Sequence, residues 1–457
     1  VNQKSAAPLQ QDESYLLGID LGTSGVRLCL YRCRDQAAEG LAVANFHDAD
    51  GAYDCPKTWE AALIQAFSSL HRMHGGALRQ VIGIMADATS SSVCLSQDGR
   101  PVTDFLMYDD KRAQPQAERY AETAPNDSAA HGASSTLAKT LWLLENTALS
   151  DPEHSHNLRI MHQIDWLTHW LTGQTDLATD ANNALKLGFD PVTNQWPHWV
   201  QTELLTDRGA GIGILPSVVT PGTPLAPIAP TLAARFGISP QACVHAGTTD
   251  SIAGFFATGA SKTGEAVTSL GSTLALKLLS DRPVFAPQYG VYSHKVGPWW
   301  LAGGASNAGG NALVTRYGLD PIKHWCQKPL SAADIHDRIG ALDYYPLKSK
   351  GERFPFQDPN KCPDFEPPAP DAFTEFLAAL AGLVKIEVLG YQRLAELGAS
   401  SVQSIHSVGG GLKNPLWQTL RKEALPISDI APLHDQAAFG VARLLHLAKE
   451  GFDISQT

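Results

Sequence analysis

The hydrophobic pattern repeats itself. Tyr15-Leu-Leu-Gly-Ile-Asp20-Leu is an apolar run, Gly22-Thr23-Ser24-Gly25 is a tip without bulky side chains, and Val26–Leu30 is a second run. Past the midpoint, Ala266–Leu270, Gly271-Ser272-Thr273 and Leu274–Leu278 have the same form. An apolar run, a small turn and a second apolar run predict a β-hairpin. Glycine at each tip lets backbone approach a ligand closely, and the neighbouring hydroxyls and amides are donors for phosphate oxygens. Taken singly each stretch is an ordinary hairpin. As a pair they predict two similar lobes that serve one nucleotide.

Between the hairpins the period changes from two to 3.6 and back. The spacing predicts a helix over Lys57–Arg72, a strand over Gln80–Ala86, a turn at Asp98-Gly99-Arg100-Pro101, and helices over Ser135–Leu144 and Ile164–Leu171, with Ser134 or Ser135 as N-cap of the former. Five prolines from Pro216 to Pro230 predict a loop. Cys243–Asp250 then reads as a strand ending in a turn, and Ser251–Thr258 as a helix. Beyond the second hairpin come a glycine-rich stretch from Gly303 to Gly310, a proline-rich loop from Pro363 to Pro370, and a long helix over Ala372–Leu397 stopped by Gly398. A strand from Ile405 runs into Gly409-Gly410-Gly411, and a helix follows from about Pro415. Alternating strands and helices place the chain in the α/β class. The predicted division is a segment 1–14 that is polar and disordered, a first lobe 15–249 and a second lobe 250–457.

Composition changes this picture little. The 457 residues allow two or three domains. A net charge of −11 with no basic block argues against nucleic acid as a partner. No apolar stretch approaches the roughly 20 residues of a membrane span. Seven cysteines, odd in number and without Cys-x-x-Cys spacing, make neither a disulfide framework nor a zinc site and suggest a reducing compartment. Cys29 and Cys33 are close enough for a redox pair, but small buried thiols are commonplace in strands.

Three carboxylate and glycine motifs carry candidate chemistry. Asp20 ends an apolar strand directly before Gly22, where it is either a turn aspartate or a group that holds a divalent cation beside phosphates. Asp250 stands at a strand-to-helix junction, as an N-cap or as a general base. Gly409-Gly410-Gly411 before a helix admits a flat ligand, with Asn414 and Trp417 on the first turn as possible walls; a tight turn over a core tryptophan reads equally well. There is no Gly-x-x-x-x-Gly-Lys-[Ser/Thr] loop. Gly209-Ala-Gly211-Ile-Gly213 precedes a proline-rich loop and reads as a turn, and His154, His156 and His162 read as surface loop.

In order and spacing, Gly18-Ile-Asp20-Leu-Gly22-Thr23-Ser24, Ala246-Gly-Thr-Thr-Asp250, Thr268-Ser-Leu-Gly271-Ser272-Thr273, Gly351-Glu352-Arg353-Phe-Pro355 and Gly409-Gly410-Gly411-Leu-Lys-Asn414 resemble the motifs of the FGGY carbohydrate kinases. The resemblance runs from about Tyr15 to about Leu447. Within that family the chain is most similar to the cyanobacterial and plant-plastid group described as xylulose-kinase-like, or as D-ribulose kinases, through Asp87-Ala-Thr89-Ser90, Gln163-Ile-Asp165-Trp166, Asn183-Ala-Leu-Lys-Leu-Gly188 and Leu342-Asp-Tyr344-Tyr345-Pro346, among others.

The resemblance implies a two-lobed actin/hexokinase/Hsp70-like (ribonuclease H-like) fold with an ATP and sugar cleft between the lobes. It implies an ATP- and Mg2+-dependent kinase acting on the terminal hydroxyl of a ketopentose, D-ribulose first. D-xylulose, or a regulatory protein that binds nucleotide and transfers weakly, are the alternatives. By the same resemblance Asp250 is the base, and Asp20 helps hold magnesium through water. Gly22, Thr23 and Ser24 lie near the transferred phosphate, and Gly271, Ser272 and Thr273 contact phosphates. Gly410, Gly411, Asn414 and Trp417 frame adenosine. Ser90 touches the sugar, with Asp87, Asp250 and Ser24 beside it.

Typical xylulose kinases carry Gly-Gln-x-His-Gly where this chain has Asp87-Ala88-Thr89-Ser90. Ala88 also replaces the glycine usual in the nearer group. Tyr108-Asp109-Asp110-Lys111-Arg112 follows the family's Trp-x-Asp-x-Arg only loosely, and Gln436 stands where many members have Glu. Neither nucleic acid nor a membrane is expected as a partner, and oligomeric state is not legible. The expected location is the cytoplasm, or the plastid stroma if a transit peptide has been removed.

Overall fold

The chain is described by a computed structural model over residues 14–49, 52–147, 158–176, 178–205 and 212–452. The N-terminal segment up to residue 13, His154, His156 and Gly209-Ala-Gly211 lie outside the described residues. The chain divides into two compact units, one of Val1–Ala257 with Gln436–Thr457, the other of Thr258–Asp435.

The first unit is built on a six-stranded sheet in the order Pro224–Pro227, Cys243–Thr249, Val81–Ala88, Tyr15–Leu21, Gly25–Arg32, Ala37–Asn45. Tyr15–Leu21 and Gly25–Arg32 form the expected antiparallel hairpin, and Val81–Ala88 lies parallel to its first arm. Tyr15–Leu21 is buried at every position from Leu16 onward, as expected of a central strand covered on both faces. The helix Pro56–Leu78 covers one part of this sheet, and the C-terminal helix Ala437–Lys449 packs on the strands Tyr15–Leu21, Gly25–Arg32 and Val81–Ala88. That second contact explains Gly18: a methyl group there would come within 1.8 Å of the Ala438 carbonyl oxygen. Gly440 does the same between helices, where a Cβ would meet the Ala253 carbonyl oxygen at 1.8 Å.

The second unit repeats the plan in the order Tyr292–Val296, Trp299–Ser306, Leu274–Ser280, Glu265–Leu270, Ser404–Val408, Ser428–Ile430. Again a hairpin, Glu265–Leu270 with Leu274–Ser280, has a parallel neighbour beside its first arm, here Ser404–Val408. The duplicated phrase therefore occupies the same place in two sheets in which five strands pair alike and the sixth is added at opposite edges. The long helix Ala372–Glu396, capped by Asp371 and ended at Gly398 (φ +91°), fills the core of this unit. Buried Glu387 on it pairs bidentately with Arg421, through Nε and Nη2 at 2.8 Å each, and also accepts the Thr268 hydroxyl. That cluster ties helix Pro415–Ala424 and the hairpin to one another.

Two expectations shift, and one of two offered caps is taken. The compact units do not divide at residue 250: the helix Asp250–Ala257 stays with the first unit because the C-terminal helix, returning from the far end of the chain, packs against it. The Pro216–Pro230 segment is not all loop. Pro224–Pro227 forms an edge strand against Cys243–His245, a position where missing proline N–H groups do no harm. Ser135, not Ser134, caps its helix by accepting the Ala138 N–H. All seven cysteines are free thiols, and burial pushes Cys29 up to about 12, which leaves it a poor nucleophile.

Candidate active site

Parallel pairing of Tyr15–Leu21 with Val81–Ala88 puts Asp20 in register with Asp87, and the pairing of Val81–Ala88 with Cys243–Thr249 sets Thr248 beside Asp87. Asp250 follows directly, as the first residue of its helix. Three carboxyl groups that are far apart in sequence thus meet at the ends of three neighbouring strands: Asp87 feels the charge of Asp20 and Asp250, and Asp20 that of Asp250. Strand ends of this kind are where α/β folds gather ligands, because loops there are free to vary while the sheet fixes their roots.

The three differ in environment. Asp20 is buried, and burial raises its carboxyl above the usual range, with Arg27 opposing and Asp250 adding to the rise. Arg27 Nη1 donates to Asp20 Oδ2 at 3.2 Å, and Nη2 donates to Ser24 Oγ at 3.1 Å. The guanidinium orients the aspartate against the hairpin tip through one of its two oxygens. Asp87 is fully buried and raised further, by desolvation first and then by Asp20 and Asp250. Apart from a proton shared with Asp20, no hydrogen-bond donor of the described residues reaches either of its oxygens. Asp250 is half-buried, and its Oδ1 accepts the Ser251 N–H at 2.6 Å.

The residues fit a hard divalent cation in part. Carboxylate oxygens converge, and Asp20 keeps one oxygen unengaged by Arg27. Yet among the described residues no three His, Cys, Asp or Glu side chains could by themselves hold a metal ion. A magnesium ion here would complete its shell with water and ligand phosphate, which is its usual preference. Gly22 keeps this corner open, since a Cβ there would stand 3.3 Å from both Arg27 Nη1 and Asp20 Oδ1, while Thr23 and Ser24 are exposed at the tip.

Ser90 is half-buried in the turn after Val81–Ala88, between Thr89 and Ser91. The Thr89 N–H donates to Gln163 Oε1 at 3.1 Å, and Ser91 takes the left-handed φ of +61°.

In the second unit the hairpin tip and two glycine turns meet. Gly310 N–H donates to the Gly271 carbonyl and Asn311 N–H to the Ser272 carbonyl, so the tip docks on the start of the helix Gly310–Tyr317. At Gly309 (φ +157°) a Cβ would stand 2.7 Å from the Ser272 carbonyl oxygen, and at Gly409 (φ +97°) 2.7 Å from that of Leu270. Gly410 is exposed with nothing near its missing side chain. The result is a corner walled by backbone, which fits a polyphosphate and a flat base better than bulky side chains would. Glu352 steadies it from below. Its buried carboxylate accepts from Ser306 Oγ, Tyr345 Oη and the Asn307 and Arg353 N–H groups.

Two expected walls turn out to be supports. Asn414 spends its Oδ1 on capping, accepting the Leu416 and Trp417 N–H groups. Trp417 is buried in the core under Gly411 and lines no surface that a ligand could reach. Arg27, Gln163, Gly309 and Glu352, which hold these candidates in place, are not among the site residues that the sequence predicts. Arg27 could have been found from the hairpin register, which places it opposite Asp20. A cavity of about 290 Å³ beside Arg159, Asp165 and His169 holds none of the candidate residues.

The model of the FGGY family of carbohydrate kinases, N-terminal domain, matches residues 15–257. A gluconokinase from Bacillus licheniformis is 21% identical over 92% of this chain and 84% of its own length. A xylulose kinase from Bacillus subtilis is 21% identical over 96% of this chain and 89% of its own. A solved xylulose kinase from Brucella ovis superposes with a TM-score of 0.82 at 23% identity, covering 96% of this chain and 91% of that one. The fold is that of the two-lobed actin/hexokinase-like α/β proteins.

Proposed function

Since the chain belongs to the FGGY family of carbohydrate kinases, we propose that this carbohydrate kinase phosphorylates the terminal hydroxyl of a ketopentose, D-ribulose to D-ribulose 5-phosphate, from magnesium-ATP. The observation that carries the reading is the meeting of Asp20, Asp87 and Asp250 beside the first hairpin tip, next to the turn of Ser90. Gluconate and xylulose kinases among the relatives leave the sugar open at the family level. D-Ribulose is favoured by the small hydroxyl-bearing turn Thr89-Ser90-Ser91-Ser92, which stands where the xylulose kinases have a glutamine and a histidine.

Phosphoryl transfer passes through a loose transition state, so alignment and charge stabilisation carry most of the catalysis. Asp250 accepts the proton of the attacking hydroxyl. It needs no raised pKa, because that hydroxyl turns acidic as its bond to phosphorus forms. Asp20, held by Arg27, and the Gly22-Thr23-Ser24 tip steady the metal and the transferred group. Bound magnesium would supply charge neutralisation on the phosphates. The backbone corner at Gly271-Ser272-Thr273, Gly309 and Gly410-Gly411 binds the nucleotide.

The test is ADP release with magnesium-ATP across D-ribulose, D-xylulose, gluconate, glycerol and no sugar, with Asp250→Ala alongside. D-Ribulose should stimulate release most. Asp250→Ala should lower turnover by on the order of 10²–10⁴ while nucleotide still binds. Full sugar-dependent turnover in the variant would remove Asp250 from the base role, and equal response to every sugar would refute the ketopentose assignment.

A further inference from the structure

Among the described residues, the side chains of the turn that carries Ser90 do little to hold it. The hydroxyls of Thr89, Ser91 and Ser92 are buried without a hydrogen-bond partner, as is Nε2 of the neighbouring Gln163. The turn is instead anchored through its backbone. Gln163 takes the Thr89 N–H at its side-chain oxygen and gives its own N–H to the Ser92 carbonyl. Between these anchors lies Ser91, whose φ of +61° is costly for a residue with a Cβ. The group bonded to the Ser91 carbonyl is the ammonium of Lys139, at 2.5 Å; the same ammonium donates to the Met107 carbonyl at 2.7 Å.

Lys139 projects from the helix Thr136–Asn146 and is completely buried. Its direct acceptors are two neutral carbonyls. Asp109 and Asp110 act on it from the segment after Met107, and Lys186 opposes them from the turn Leu185–Leu187. Burial pushes the ammonium down to about 7, since a buried cation loses its hydration. A methionine would fill the same volume without that cost, so packing does not account for the lysine. What the ammonium adds is a two-point bridge between the strained turn and the Met107–Asp110 segment, and carbonyl oxygens offer no other way to be joined than through a donor.

We propose that Lys139 is a positioning residue for the sugar: it clamps the Thr89–Ser92 turn, through Ser91, in the shape that presents Ser90. This rests on the sugar-kinase reading, and its experiment separates the two. In Lys139→Met, the KM for sugar should rise about tenfold or more, the loss of one charge-assisted hydrogen bond being enough, while the KM for magnesium-ATP stays put and kcat changes little. Amide exchange of residues 89–92 in the sugar-free enzyme should quicken by a similar factor, with that of Tyr15–Leu21 unchanged. Lys139→Gln, which keeps an N–H donor, should fall between, and it serves if the methionine variant does not fold. Adding Ser91→Gly, which removes the backbone strain, should restore part of the sugar affinity lost in Lys139→Met. Unchanged sugar KM and exchange, or exchange quickened across the whole first unit, would overturn the clamp. A wild type that answers to no sugar would refute the kinase reading alone, and the exchange measurement would still decide the clamp.

Discussion

At the scale of single residues, the site is organised by how differently three carboxyl groups are solvated. Asp87 is the extreme case: wholly buried, beside two other carboxyls, and short of donors. Its folded-state pKa lies well above the ordinary 3.8, so between that value and the raised one the folded chain holds a proton that the unfolded chain has lost. The stability this proton supplies is complete below about pH 4 and is lost as pH rises through the folded value. Asp87→Asn, with the same shape and no proton to lose, should match wild type in urea midpoint near pH 4 and exceed it increasingly toward pH 7.5, in nucleotide-free, metal-free buffer. A pH-independent difference would show that Asp87 is ionised when folded. Asp250, half-buried at a helix start, is less enclosed than Asp87.

At the scale of elements, hairpins and glycine turns are held in place by buried polar pairs. Arg421 bridges Glu387 on the long helix, and Thr268 on the hairpin strand also donates to that carboxylate. Removing one partner of such a pair strands the other charge in the core. Arg421→Met should therefore cost about 3–5 kcal/mol of unfolding free energy, read from urea titration of the second unit's tryptophans. A loss below about 1 kcal/mol, the scale of an exposed ion pair, would mean that water reaches Glu387. In the first unit, Gly18→Ala pushes a methyl into the Ala438 carbonyl. The overpacking should cost about 1–3 kcal/mol or more, because the obstacle is backbone and not a flexible side chain; an unchanged melting temperature would show that the C-terminal helix can shift.

At the scale of the whole molecule, the first unit is completed by residues from the opposite end of the chain. The helix Ala437–Lys449 is buried along most of its length and covers strands that begin at Tyr15. Truncation after Asp435 should expose that sheet and make the first unit sensitive to protease, while the second unit, whose residues are continuous from Thr258 to Asp435, stays resistant. Equal digestion of both units would mean that they do not fold independently; resistance of both would mean that the helix is dispensable.

Much of this was legible in the sequence, because local rules govern it. Both hairpins follow from period-two apolar runs around small tips. Ser135 as cap and Gly398 as stop follow from the chemistry of helix ends. The duplicated phrase already announced two sheets of one plan, and Asp20 and Asp250 stood out as carboxylates at strand ends. The remainder depended on contacts between segments distant in sequence. Parallel register, which no local pattern encodes, put Asp87 beside Asp20. Return of the C-terminal helix moved the boundary between units from residue 250 to Ala257 and beyond. Burial made Trp417 a floor under Gly411 and turned Lys139, one charged residue of a helical pattern, into a cation facing two carbonyls. Propensity and periodicity act over a few residues; desolvation and register act only once the chain has closed upon itself, and these last set the charges of the site.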